Sequence, residues 1–256
     1  MGTKKTIEIL GVNVSIISLT ELLQSVNSSI QMNSKSIISY VNVHGVNLAY
    51  TDEIFRNCLN SSNIVFCDGF GVKIAIKLIT GITISRFTPP DWFDQLAEQS
   101  VEFGHSLYFL GSKQSIVDEA ANIFNSRFSG IDIAGSHHGY FDKTYGSLEN
   151  NEVICEINKH HPDILLVGFG MPIQEKWIFE NLPNLDVKVI IPVGAFFDYA
   201  ANAIPRAPRW MTDHGLEWLG RLIIEPKRLW KRYLIGNPVF FWRIIKHQIL
   251  RIPLPY

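Results

Sequence analysis

Between residues 107 and 193 the chain alternates short β-branched apolar runs with amphipathic stretches, and this alternation restricts the fold more than any other feature. Residues 107–110, 131–134, 164–167 and 187–193 read as strands, and 115–128, 148–160 and 174–181 as helices. Successive strands joined by helices pair in parallel, bury both faces of their sheet and collect ligands at their carboxyl ends. The first half is less regular. Residues 6–16 form two strand pieces broken at Gly11, and Ser18 caps a helix through residue 30 with Leu19, Leu22, Leu23 and Val26 on its inner face. A strand at 36–41, a helix at 51–59, a strand at 64–67 and a helix at 71–78 come next, then a loop through 86–90 and a helix capped by Asp91. The expected fold is α/β: a Rossmann-like, mostly parallel sheet with helices on both faces, forming a core over residues 1–205.

Beyond Pro205 the character of the chain changes. The 256 residues carry a formal charge of −1, but residues 206–256 hold ten Lys/Arg against three Asp/Glu, net +7, which leaves net −8 for residues 1–205. Four of the six tryptophans also lie there, at 210, 218, 230 and 242. Glu225-Pro226 can start a helix with Arg228, Lys231 and Arg232 on one face. From 239 to 252, Phe240, Phe241, Ile244, Ile245, Ile249 and Ile252 keep helical spacing, with Arg243, Lys246, His247 and Arg251 opposite. A helical, basic, aromatic-rich appendage of this kind suits the interface of an anionic membrane. It suits packing on the core, or on a second subunit in a homo-oligomer, equally well. A sequence pI near 6.7 and the absence of a recognised motif argue against nucleic acid as a partner. Three cysteines without a C-x-x-C pair suit reduced thiols. No run of about 18 apolar residues or signal-like start is seen. The expectation is a cytoplasmic protein, peripheral on the inner face of the cell membrane.

Several polar or glycine positions come directly after expected strands. In "DILLVGFGMPIQEKW" a buried strand gives way to Gly168 and Gly170, then to a helix opened by Pro172. Such a hinge lets backbone N–H groups approach an anion such as a diphosphate, or serves only to turn tightly from strand to helix. The third glycine of the dinucleotide fingerprint would fall on Ile173, which disfavours a nicotinamide cofactor. Gln174 and Glu175 occupy the first turn of that helix, pointing toward the hinge's ligand or, for Glu175, favouring the helix N-terminus. Asp68, between a strand and Gly69, is either a cleft carboxylate fit for general-base work or a turn residue. Asp198 has the same ambiguity. Arg86 can fork onto phosphate oxygens or stand exposed in its loop. Adjacent His137-His138 and His160-His161 do not share a face, and neither H-E-x-x-H nor D-x-D occurs, so no metal site is expected.

Taken together, "CDGFGV", "GSHHGYF", "VGFGMPIQEKWI", "VGAFFDYAAN" and "RAPRWMTDHGLEWLGRLIIEPKRLWKRY" resemble the WecG/TagA/CpsF family of bacterial glycosyltransferases over nearly the whole chain. The resemblance implies an inverting, metal-independent hexosyltransferase without a cofactor. Its donor would be a UDP-sugar, typically UDP-N-acetylmannosamine, and its acceptor a polyprenyl-diphosphate-linked saccharide of cell-envelope or extracellular polysaccharide synthesis. It further implies that Asp68 is the catalytic base, that Asn42 is the polar residue after the second main strand, and that Arg86 and Gln174 line the nucleotide-sugar cleft. Arg221, Arg228 and Lys231 fall where the family's appendage turns basic residues toward the diphosphate. The family often has Thr where this chain has Tyr40, a departure that bears on the donor sugar. Two rival readings are a nucleotide-sugar enzyme of another class, such as an epimerase, and a non-catalytic nucleotide- or membrane-surface binding module.

Overall fold

The computed structural model describes residues 5–254, the side chains of Arg209 and Asp213 excepted. The chain opens with β1 (Thr6–Ile9), β2 (Val12–Ser15), α1 (Leu19–Gln31), β3 (Ser36–Val41), α2 (Val43–Thr51), α3 (Glu53–Asn60), β4 (Ile64–Cys67), α4 (Phe70–Thr80) and α5 (Pro89–Phe103). It continues with β5 (Ser106–Gly111), α6 (Gln114–Arg127), β6 (Asp132–His137), α7 (Leu148–His160), β7 (Ile164–Gly168), α8 (Ile173–Asn181), β8 (Val189–Pro192) and α9 (Phe196–Ala200). Four short helices close it: α10 (Arg209–Asp213), α11 (Glu217–Ile224), α12 (Pro226–Trp230) and α13 (Gly236–Arg243).

Six strands form a sheet in the order β4-β3-β8-β7-β5-β6, and the β3·β8, β8·β7, β7·β5 and β5·β6 pairings are parallel. Every residue of β3, β4 and β8 is buried, the pattern of strands covered on both faces. The α/β architecture, with a parallel sheet flanked by helices and a helical C-terminal segment, is the one expected from the alternation. β1 and β2 pair separately as an antiparallel hairpin. Its turn holds Leu10 and Gly11 at φ 49 and 86, the paired left-handed geometry that fits a tight hairpin.

The chain makes two compact units: one of Met1–Ser18, Tyr40–Thr88 and Pro205–Tyr256, the other of Leu19–Ser39 and Pro89–Ile204. In the second, Tyr108, Leu110, Ile157, Leu165, Val167 and Trp177 form one buried cluster. Phe93, Phe124 and Phe196 form another, with ring centroids 4.3 Å apart for Phe93–Phe124 and 4.5 Å for Phe93–Phe196. Fully buried Asn150 braces α7 to α8 by accepting from Trp177 Nε1 at 2.7 Å and donating to Asn181 Oδ1 at 2.9 Å.

In the first unit the expected 51–59 helix is α3, and a helix not expected from the sequence, α2, precedes it. Asn42 starts α2 by accepting from the Gly45 N–H at 3.1 Å, and Asp52 starts α3 by accepting from the Phe55 N–H at 3.0 Å. Asp91, expected as a cap, instead lies in the first turn of α5, which Pro89 opens. β6 runs to His137 rather than stopping at residue 134.

The expected apolar stripe of the tail is split. Phe240 and Ile244 are buried, whereas Ile245 and Ile249 are half exposed. Arg243 and His247, expected on the solvent side, pack inward: the Arg243 guanidinium lies 3.9 Å from the Tyr50 ring centroid, and His247 Nε2 shares a 2.9 Å hydrogen bond with Tyr50 Oη. The cause is a change of helical period. Residues Lys231–Ile235 and Ile244–Ile249 are π-helical, and each wider turn rotates later side chains away from the phase of a regular helix.

Candidate active site

In the first unit, the ends of β3 and β4 bring two polar side chains together. The Asp68 N–H donates to Val41 O at 3.0 Å, which seats the carboxylate at the end of β4 next to Asn42 at the end of β3. Asn42 Nδ2 donates to Asp68 Oδ2 at 2.9 Å while its carbonyl caps α2, so one side chain fixes both a helix start and a carboxylate. Gly69 permits this approach, since a Cβ there would stand 3.1 Å from Asn42 Cβ. Burial pushes the Asp68 pKa up to about 6. The Asn42 hydrogen bond opposes the rise, the neighbouring Glu217 carboxylate adds to it, and the Arg86 and Arg232 guanidiniums oppose it. Near neutrality the carboxylate is ionised yet basic enough to take a proton.

Arg86 is drawn in from its loop rather than standing in solvent. Its Nη1 donates to Glu217 Oε2 at 3.3 Å, and its Cζ lies 4.9 Å from the centroid of the Phe70 ring. Its side chain is 11% exposed and that of Glu217 19%, so the pair is substantially desolvated. Tyr40 is buried in β3 against Phe66, with ring centroids 5.8 Å apart. Arg221 and Arg232 bring tail cations to this group, and the charge of Arg221 acts on Arg232. Arg228 and Lys231 point elsewhere. Arg228 is exposed and pairs with Glu225 at 2.8 Å, and exposed Lys231 lies over the Trp230 ring at 5.5 Å. Two participants escape the sequence reading, Glu217 and His44, whose pKa falls to about 4 through burial and then the Arg232 charge, while Arg232 stands in that reading only as part of a basic helix face.

In the second unit, the ends of β5, β7 and β8 are packed backbone on backbone. A Cβ on Gly111 would stand 2.6 Å from Gly168 O, and one on Gly168 would stand 2.8 Å from Gly194 O. Gly170 has φ 86 and open space around the missing Cβ. The hinge N–H of Gly170 is not aimed outward. It donates to Gln174 Oε1 at 3.0 Å, and the Gly194 N–H donates to the same oxygen at 3.1 Å. Gln174 is therefore fully buried and ties two strand-end loops together. Its Nε2 donates to Glu175 Oε1 at 2.8 Å, while Glu175 Oε2 makes no hydrogen bond among the described residues. Burial pushes the Glu175 pKa up to about 7, with the Gln174 hydrogen bond opposing. Pro172 sits just before α8 rather than within its first turn. Ser112, left-handed at φ 51, donates its hydroxyl to Asp198 Oδ1 at 2.9 Å. Lys143 lies between Phe141 and Phe169, 4.5 and 4.6 Å from the ring centroids, and so links the "GSHHGYF" stretch to the hinge.

Among the described residues no three His, Cys, Asp or Glu side chains gather as a metal site, and no helix is long and apolar enough to cross a membrane. His137 bonds the His138 carbonyl, His160 bonds Glu156 and His161 bonds Asp186.

Comparison with known proteins finds relatives over most of the chain. An N-acetylglucosaminyldiphosphoundecaprenol N-acetyl-beta-D-mannosaminyltransferase of Bacillus subtilis (strain 168) is 30% identical over 214 residues, 83% of this chain and 80% of the relative. A protein of the same name from Staphylococcus aureus (strain NCTC 8325 / PS 47) is 26% identical over 242 residues, 94% of this chain and 92% of the relative. Residues 7–252 match the Glycosyl transferase WecG/TagA/CpsF family. With a match that spans nearly every strand and helix described above, the chain belongs to the WecG/TagA/CpsF family of glycosyl transferases.

Proposed function

We propose that this chain is an inverting hexosyltransferase that moves a sugar from a UDP-sugar, N-acetylmannosamine or a related hexose, onto a polyprenyl-diphosphate-linked saccharide. The observation that carries the reading is the Asp68 carboxylate, held by Asn42 at 2.9 Å, lifted toward neutral pKa and ringed by guanidinium groups. Asp68 takes the proton from the acceptor hydroxyl. The freed oxygen attacks the anomeric carbon from the face opposite the leaving group, the bond from that carbon to the β-phosphate oxygen breaks, and UDP departs with inversion. One carboxylate suffices because a diphosphate leaves readily once its charge is countered.

Arg86 and Arg221 are the proposed counter-charges, so neither a metal nor a cofactor is required. Gln174 and Glu175 serve by holding the hinge at Gly168 and Gly170 in shape. Arg228 and Lys231, on the outside of the tail, are suited to anionic headgroups rather than to the donor. Exposed Trp210, Ile223, Leu234, Trp242, Ile249 and Leu250 accompany them in the same tail, which supports peripheral attachment to the membrane that carries the acceptor. Burial of Tyr40 against Phe66 supports an indirect effect of that residue on donor choice, through the floor beneath Asn42.

The test is turnover of the purified chain with a panel of UDP-sugars and a short polyprenyl-diphosphate saccharide, in EDTA throughout. Transfer with inverted anomeric configuration is expected, together with thermal stabilisation by UDP. No stabilisation by UDP or by any UDP-sugar would refute the reading.

A further inference from the structure

α2 begins at the Asp68 carboxylate and then runs along the tail, and its polar side chains meet these two surroundings in turn. At its start Asn42 caps the helix and holds Asp68 at 2.9 Å. Further along, the tail supplies the partners. Asn47 Nδ2 donates to Gly236 O at 2.7 Å, and Arg243 Nη1 donates to Asn47 Oδ1 at 2.9 Å. Tyr50 takes the Arg243 guanidinium on its ring and shares a 2.9 Å hydrogen bond with His247.

His44 stands between the two. It lies in the first turn of α2, and because residues three apart on a helix are neighbours it adjoins Asn47 at the edge of the tail-facing surface. Helical side chains lean toward the N-terminus, which tilts the imidazole toward the end where Asn42 and Asp68 sit. Val43 is packed instead on the start of α4, where a Cβ on Gly71 would stand 2.4 Å from Val43 Cγ2. The His44 ring is half-buried and, unlike Asn47 and Tyr50, makes no hydrogen bond among the described residues.

The chemistry of the ring narrows what it can meet. Burial, and then the Arg232 charge, bring its pKa down to about 4, so the imidazole is neutral wherever Asp68 is ionised and is the weaker base of the two. A neutral imidazole presents one N–H donor and one bare nitrogen acceptor, and no charge for a phosphate. A sugar hydroxyl, which both donates and accepts, is its natural complement.

We propose that His44 is a specificity-determining residue of this site and contacts a hydroxyl of a substrate sugar beside Asp68. The proposal rests on the glycosyltransferase reading and deepens it. The hydroxyl has two sources, the sugar of the donor and the terminal sugar of the acceptor.

Steady-state kinetics of the full chain test it, with UDP-N-acetylmannosamine, UDP-N-acetylglucosamine and UDP-glucose as donors and farnesyl-diphosphate-linked N-acetylglucosamine as acceptor. His44→Phe keeps a ring but loses both nitrogens, so kcat/KM should fall about three- to tenfold for the substrate contacted. The acid limb near pH 6 should stay in place, because Asn42 and Asp68 are untouched. His44→Gln, whose amide again offers a donor and an acceptor, should recover most of the loss. Thr51→Ala, exposed at the far end of α2, should match the unsubstituted chain. A changed ratio among the three donors assigns the contact to the donor sugar, and a raised KM for the acceptor with that ratio unchanged assigns it to the acceptor sugar. Values within about twofold of the unsubstituted chain for every substrate overturn the proposal. Equal losses in the Phe and Gln variants, uniform across substrates and accompanied by a displaced acid limb, overturn it as well, since they mark a role in holding α2. If His44→Phe gives no cooperative melt, His44→Leu, which also lacks both nitrogens, replaces it with the same outcomes. An unsubstituted chain that transfers no sugar from any donor would fail the glycosyltransferase reading itself and take the proposal with it, a result visible before any variant is made.

Discussion

Asn42→Ser separates the two tasks of one side chain. The asparagine carbonyl caps α2 through the Gly45 N–H, and its amide donates to Asp68 at 2.9 Å. Serine is as good a cap but too short to reach the carboxylate, so the helix keeps its start and Asp68 loses its donor. A hydrogen bond to a charged acceptor is worth about 1.5–3 kcal/mol, and one pH unit corresponds to about 1.4 kcal/mol. The bond favours the ionised form, so its loss should raise the Asp68 pKa by about one to two units above its present value of about 6. A base works only when ionised, so the acid limb of the kcat/KM profile should move from near pH 6 to about pH 7–8. The assay is kcat/KM for sugar transfer between about pH 5 and about pH 9, with a melting curve to show that the temperature midpoint has moved by no more than about 2 °C. An acid limb that stays in place, in a variant that is folded and active, would show that the reaction does not titrate on Asp68 and would remove it as the base.

Further outcomes rest on the geometry of the two units. Asp68→Asn should lower turnover about 10²- to 10⁴-fold while leaving UDP-sugar binding intact. Because the folded pKa of Asp68 lies above its usual value, stability is fully present below the usual carboxylate range and is lost as pH rises through about 6. The same variant should therefore melt higher than the unsubstituted chain at alkaline pH, by at most about 3 kcal/mol, and show little difference near pH 4. Glu175→Gln should behave likewise about one unit higher, its melting advantage growing as pH passes about 7, and a constant difference across pH would contradict the buried-carboxyl reading. Gly168→Ala drives a Cβ to 2.8 Å from Gly194 O and 2.9 Å from the Phe197 ring, so urea melts should show a loss of about 1–3 kcal/mol. Gly170→Ala meets no atom within 4 Å and should lose only the backbone term of a left-handed residue, about 1 kcal/mol.

The parallel sheet is legible in the sequence because its strands include unbroken apolar runs, as "ILLV" and "IVFC" are, and because Asn42, Asp68, Gly168 and Gly194 follow the expected strands. β6 reads short because its second half, "GSH", has no β-branched residue. What holds it is the pairing with β5 and the fit of Gly135 under Tyr108, where a Cβ would stand 2.6 Å from the ring. α2 escapes notice because Gly45 breaks a helical pattern in isolation, whereas the Asn42 cap and the packing of α13 on α2 hold it in the fold. Asp68, Asn42 and Arg86 can be picked out by position. Glu217 cannot, since an acid in a helix's first turn is ordinary and its partner Arg86 lies 131 residues away. Arg232 shares its local spacing with Arg228 and Lys231, and only its inward placement in the fold distinguishes it.

The glycine contacts at the ends of β5, β7 and β8 also limit how this half of the molecule can diversify. Gly111 rests on the Gly168 carbonyl and Gly168 on the Gly194 carbonyl, so any side chain at 111 or 168 must first force two loops apart. Those loops carry a fixed spacing that point substitution cannot adjust gradually. Adaptation of this surface to a new ligand must then enter through side chains mounted on the seam, Ser112, Phe169 and Asp198 among them, which can be exchanged without altering the distance between the strands that bear them.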